Sequence, residues 1–210
     1  MMEVIEQINA VRRRVGQRIL DAGEAHSVII SQVYAAPIDD VWDACTNPVR
    51  IPRWFLPVTG DLRPGGRYQL EGNASGTVER CDPPREFTAT WEFGGQTSWI
   101  EVRLTSEPQG ATRFELEHIA DPGTPWAEFG PGAVGVGWDM ALMGLATHLA
   151  SGLPVDPQAG AAWVTSAPGQ EFITLSSRRW RDEDVAAGTD ETAAQAAADR
   201  TLAAYTGSGG

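Results

Sequence analysis

The stretch from residue 58 to residue 119 constrains the fold most, because its hydrophobic residues alternate and its turns come at short intervals. In "PPREFTATWEF", Phe87, Ala89, Trp91 and Phe93 share one side, while Thr88, Thr90 and Glu92 take the other. A period of two is the signature of a half-buried strand. "SWIEVRLTS" repeats it, with Ile100, Val102 and Leu104 opposed to Trp99, Glu101 and Arg103. "GATRFELEHI" does so again, placing Phe114, Leu116 and His118 together. Gly94-Gly95 and the Pro-Gly-Gly of "GDLRPGGRYQLEG" mark turns between strands. Strands with one wet face joined by short connections predict an antiparallel meander.

The dry face of such a sheet needs a cover. "AVGVGWDMALMGLATHLASG" predicts one long helix, with Val134, Trp138, Leu142, Leu145 and Leu149 on a stripe and Gly152 as its C-terminal cap. Upstream, "HSVIISQVY" reads as a strand. "APIDDVWDACTNPVRIPRWF" reads as two short helices, the first opened by Pro37 with Asp39 and Asp40 at its positive end. Neither can bury its own apolar side, so Val41, Trp42, Trp54 and Phe55 must pack on something larger. Residues 3 to 22 are expected to be a helix, from Val4, Ile8, Val11, Val15 and Ile19 opposite Arg12, Arg13 and Arg14. Residues 120 to 132 read as a loop. Three further helices are expected near 156–163, 168–180 and 189–205. Trp163, Phe172, Trp180 and Tyr205 are too apolar to leave in water, so these helices should dock rather than trail. The domains expected are an N-terminal helix at 1–25, a core domain at 26–152 and a helical extension at 153–206.

Composition excludes several functions. The formal charge is -12 and the pI about 4.6, which argues against nucleic acid or an anionic membrane as partner. All 16 basic residues are Arg, so neither Schiff-base chemistry nor a P-loop lysine is available. The charged N-terminus lacks the apolar run of a signal peptide, and no stretch is long enough to span a bilayer. With only Cys45 and Cys81, both expected reduced, a cytoplasmic location is expected. His26, His118 and His148 share no ligand spacing with each other or with the cysteines, so no metal site is expected. No other cofactor motif is present: "GPGAVG" lacks the strand that precedes a dinucleotide-binding turn.

The order strand, two short helices, antiparallel strands, long helix resembles the helix-grip fold of the START and birch-pollen-allergen superfamily, SRPBCC. "APIDDVWDACTNPVRIPRWF", "GDLRPGGRYQLEG", "ERCDPPREFTATWEF", "GATRFELEH" and "GVGWDMALMGLATHL" resemble, in order, the blocks of the branch related to the activator of the heat-shock-protein-90 ATPase. The resemblance covers roughly residues 26 to 152. It implies an α+β fold in which a curved antiparallel sheet wraps one long helix, with added helices at both termini. It also implies an apolar pocket between sheet and helix. The expected lining is Tyr68, Leu70, Trp91, Phe93, Phe114, Leu116, His118, Trp138 and Leu142, with Trp54 and Phe55 at the rim. These large side chains could equally fill a solid core.

Three functions follow as expectations. The first is binding of a hydrophobic or aromatic small molecule without chemistry. The second is an enzyme like the polyketide cyclases and aromatases of the superfamily, with His118 and Tyr68 as acid–base groups. The third is a co-chaperone acting on the heat-shock-protein-90 ATPase, the least expected because only residues 1–25 precede the first strand. The partner expected is a hydrophobic small molecule, with no nucleic acid and no membrane insertion. A homodimer through the N-terminal helix is the alternative use of that helix.

Overall fold

The computed structural model describes residues 3–20, 23–120 and 123–207. In chain order these form α1 (Val4–Ala10), β1 (Arg12–Leu20), β2 (Gly23–Tyr34), α2 (Ile38–Thr46) and a 3-10 turn at Ile51–Arg53. Six strands follow: β3 (Val58–Gly60), β4 (Arg67–Leu70), β5 (Ser75–Asp82), β6 (Glu86–Phe93), β7 (Gln96–Glu107) and β8 (Ala111–Ala120). Then come α3 (Thr124–Phe129), α4 (Gly132–Ser151), α5 (Pro157–Val164), α6 (Ala167–Ala186) and α7 (Glu191–Thr206). The chain is α+β, with an eight-stranded sheet in the order β1-β2-β8-β7-β6-β5-β4-β3. From β3 to β8 each strand pairs antiparallel with the next, so the alternating stretch is the expected meander.

Contacts divide the chain into two compact units. The sheet unit comprises residues 31–120 and 141–155; the terminal unit comprises residues 1–30, 121–140 and 156–210.

The sheet unit is built by the period-two pattern. Ser98, Ile100, Val102 and Leu104 of β7 are buried, whereas the residues between them are half-exposed. The register pairs Ile100 with His118, Val102 with Leu116 and Leu104 with Phe114. On the other side of β7, Phe87, Ala89 and Trp91 pair with Val102, Ile100 and Ser98. These residues make the inner face. The C-terminal half of α4 packs against it, Tyr34 at the end of β2 donating to the Leu142 carbonyl oxygen at 3.3 Å. The outer face carries the charges, with Arg103 bridging to Glu101 and lying 3.8 Å from Glu115.

The terminal unit departs from expectation at its start. The expected helix over 3–22 ends at Ala10, and Arg12–Leu20 is a strand. Val15 and Ile19 fit either period, and the three arginines decide between them. Arg12 and Arg14 are exposed while the Arg13 side chain is 4% exposed, an alternation that only a strand provides. Arg13 grips Asp139 of α4 with two bonds, Nε to Oδ2 at 2.9 Å and Nη2 to Oδ1 at 2.8 Å. Oδ2 also accepts from Ser176 Oγ at 2.5 Å and Trp180 Nε1 at 3.0 Å, both on α6. A fully buried carboxylate is tolerated because an arginine pairs it and both of its oxygens accept hydrogen bonds.

The expected loop at 120–132 is also interrupted, by α3. Pro125 stands in its first turn, where a missing N–H costs nothing, and Gly130 ends it. Residues 121 and 122 lie outside the described residues. The three C-terminal helices are present, with Asp156, Ser166 and Asp190 as side-chain N-caps. Phe172, Ile173 and Trp180 are fully buried, and the Tyr205 hydroxyl donates to the Ala133 carbonyl oxygen.

Candidate site on the inner sheet face

A polar-edged aromatic strip crosses the sheet unit close to the β6–β7 hairpin. It begins at Tyr68 on β4. The neighbouring Gly76 has no side chain, and a Cβ there would lie 2.9 Å from the Tyr68 ring and 2.0 Å from the Thr90 carbonyl oxygen. Glycine thus lets the phenol lie flat on the backbone and donate to that same Thr90 oxygen at 2.7 Å. The register that pairs Ser75 with Glu92 and Val78 with Ala89 sets Gly76 across from Trp91. Trp91 pairs with Ser98 and meets the His118 ring edge-on, with centroids 5.9 Å apart. His118 Nε2 lies 2.8 Å from Ser98 Oγ, and Ser98 donates to the Trp91 carbonyl oxygen at 3.0 Å.

That chain of bonds fixes the chemistry of His118. A serine hydroxyl has one proton, spent on Trp91, so Ser98 Oγ accepts and His118 Nε2 carries the hydrogen. Burial lowers the imidazole pKa to about 4, so His118 is neutral near pH 7. Burial likewise raises the Tyr68 pKa, reinforced by the nearby Glu92 charge. Both groups therefore act as fixed dipoles on a dry surface. Four strand spacings separate β8 from β4, roughly 19 Å along the sheet. The two expected acid–base groups thus stand at opposite ends of the strip, with Trp91 between them. The Cys45 thiol is pushed up to about 12 by burial, so it is no nucleophile.

The remaining expected residues sort by depth. Leu70, Phe114, Leu116, His118 and Leu142 are buried at 5% exposure or less. Trp91 stays half-exposed although it lies on a central strand. Phe93 departs from the expected lining: at 58% exposure, where β6 gives way to Gly94-Gly95, it stands at the rim, two residues beyond Trp91 on the same parity. Trp138 belongs to the terminal unit, so it is not among the residues the sheet unit itself brings together.

Trp54 and Phe55 stack on each other with centroids 5.4 Å apart. They are anchored at the junction of α2 and the end of α4. Trp54 Nε1 donates to the Ala44 carbonyl oxygen at 2.9 Å, and Arg53 Nη2 to that of Gly152 at 2.8 Å. Beside them Arg50 bonds Asp40 at 2.6 Å and Asp43 at 3.1 Å. Arg50 Nη2 also approaches His148 Nε2 at 3.4 Å, while His148 Nδ1 is 2.9 Å from the Leu153 carbonyl oxygen. Sequence reading passed over Ser98 and Gly76. Ser98 was within reach, since it continues the parity of Ile100, Val102 and Leu104. The Arg50–His148 contact joins residues far apart in the chain and left no local signal.

Among the described residues, no three His, Cys, Asp or Glu side chains converge to hold a metal ion, and no helix is long and apolar enough to cross a membrane.

Comparison with known proteins gives a concordant answer. Residues 35–150 match the family model described as activator of Hsp90 ATPase homolog 1-like protein. The crystal structure of CalU16 from Micromonospora echinospora is 40% identical, with 84% of this chain and 99% of that one aligned at a TM-score of 0.66. The solution structure of CalU16 gives 42% identity over 86% and 97%, with a TM-score of 0.71. DynU16, a protein from the dynemicin biosynthetic locus, is 25% identical over 61% of this chain and 48% of its own, with a TM-score of 0.54. No curated protein matches significantly. The helix-grip architecture, the matched blocks and the relatives agree: the chain belongs to the family of activator of Hsp90 ATPase homolog 1-like proteins.

Proposed function

We propose that the sheet unit binds a hydrophobic or aromatic small molecule against its inner face, at the strip from Tyr68 to His118, without transforming it. The observation that carries this reading is Trp91. An indole on a central strand, flanked by buried His118 and by a glycine, keeps accessible surface where a solid core would cover it. A flat aromatic shelf with a few fixed polar groups is what an apolar ligand site requires. The spent hydrogen bonds of Tyr68 and His118 favour binding over catalysis. DynU16, from a biosynthetic locus, makes a product or intermediate of small-molecule biosynthesis the natural class of ligand.

Titration with N-phenyl-1-naphthylamine, whose fluorescence rises in apolar surroundings, tests the reading. A saturable one-site rise that weakens at least about tenfold in Trp91→Ala is expected, since stacking on one aromatic ring contributes on the order of 1 kcal/mol or more. No saturable rise, or an unchanged one in the variant, overturns it.

A further inference from the structure

Charge is distributed very unevenly between the two sheet faces. Arg67, Glu92, Glu101, Arg103, Glu115 and Glu117 all fall on the outer parity of their strands. The inner parity of β4 to β8 carries no Arg, Asp or Glu among the described residues, and neither does the helix segment 141–155. Arg50 of the sheet unit, with its side chain 20% exposed, is already held by Asp40 and Asp43. No buried side-chain nitrogen or oxygen among the described residues lacks a hydrogen-bond partner.

We infer that the site selects uncharged ligands and rejects carboxylates and ammonium groups of the same shape. The inference rests on the binding role proposed above and adds its specificity. A neutral aromatic molecule loses little on entering a face of aromatic and aliphatic groups. An ion must shed its water and finds no counter-charge. The titratable groups on the inner parity of β4 to β8 among the described residues are the Tyr68 phenol, the Cys81 thiol and the His118 imidazole, the first two with raised pKa values and the last with a lowered one. That imidazole stays neutral far below physiological pH, so it offers an anion one N–H dipole already committed to Ser98. Selection here works by leaving the wrong ligand unpaired rather than by recognising the right one.

A matched pair of competitors tests this at pH 7.5. Methyl 2-naphthoate and the 2-naphthoate anion share a ring system and differ in charge. Each is titrated against the complex with N-phenyl-1-naphthylamine. The ester should displace the probe at a concentration roughly a hundredfold lower than the anion, as an unpaired buried carboxylate demands. Phe93→Arg, at the exposed rim where folding is not at stake, should recover at least about tenfold of the anion's binding and leave the ester unchanged. Equal displacement by ester and anion, or no recovery in Phe93→Arg, overturns the selectivity while the binding role stands. Failure of the neutral probe itself to bind overturns the binding role first, and the selectivity with it.

Discussion

His118 and Ser98 share one hydrogen bond of 2.8 Å in which the imidazole is the donor, because the serine proton is already given to Trp91. A histidine held neutral in this way makes stability depend on pH. Its folded pKa of about 4 lies below the ordinary value of about 6.5, so between these limits the unfolded chain binds the extra proton. The contribution of neutral His118 is therefore complete above pH 6.5 and is lost as pH falls towards 4. The loss is about 1 kcal/mol by pH 5.5 and roughly 3 kcal/mol by pH 4. Urea unfolding of the parent and of His118→Gln across this range should show their stability difference shrinking by those amounts. A difference independent of pH would mean that the His118 pKa is the same in the folded and the unfolded chain.

The Asp139 carboxylate is expected to be the most sensitive polar position of the terminal unit. It is 0% exposed and takes bonds from Arg13, Ser176 and Trp180. Asp139→Ala strands a buried guanidinium and should cost about 3 to 5 kcal/mol. Replacing both partners, as Arg13→Met with Asp139→Leu, should recover most of that loss, because no charge is then left unpaired. Chemical denaturation of the three variants decides; additive losses in the double variant would contradict the account.

Two glycines of α4, two residues apart in sequence, should respond differently to alanine. A Cβ on Gly135 would stand 2.4 Å from Trp180 Cε2, against a ring that is 0% exposed and cannot retreat. A Cβ on Gly137 would meet only the Tyr205 hydroxyl, at 3.1 Å and at the tip of a movable side chain. Gly135→Ala should lose about 1 to 3 kcal/mol through overpacking. Gly137→Ala should be neutral or gain up to about 1 kcal/mol of helix propensity. Thermal melts of the pair check the contrast.

The parts legible in the sequence are those with a local period. Phe87, Ala89 and Trp91 announce their strand because a two-residue repeat needs no partner to be seen, and Leu142 and Leu145 announce α4 in the same way. The parts that were not legible depend on distant residues. Nothing in the run Arg12-Arg13-Arg14 says that the middle arginine is paired 126 residues away, so the helical reading of Val15 and Ile19 stood unopposed. The site was half legible for a related reason. Alternation identifies which residues face inward, but not how deep each lies: on the same face Phe114 is 3% exposed while Trp91 stays half-exposed.

The central claim is that an apolar ligand lies on Trp91 and His118, and the most direct measurement is a nuclear magnetic resonance titration with N-phenyl-1-naphthylamine. The Trp91 indole N–H and the His118 ring resonances should shift together, saturating with one dissociation constant that matches the fluorescence value. The buried Trp180 indole of the terminal unit should stay unmoved. Shifts confined to residues elsewhere, or none at His118 and Trp91 at saturating probe, would contradict the account.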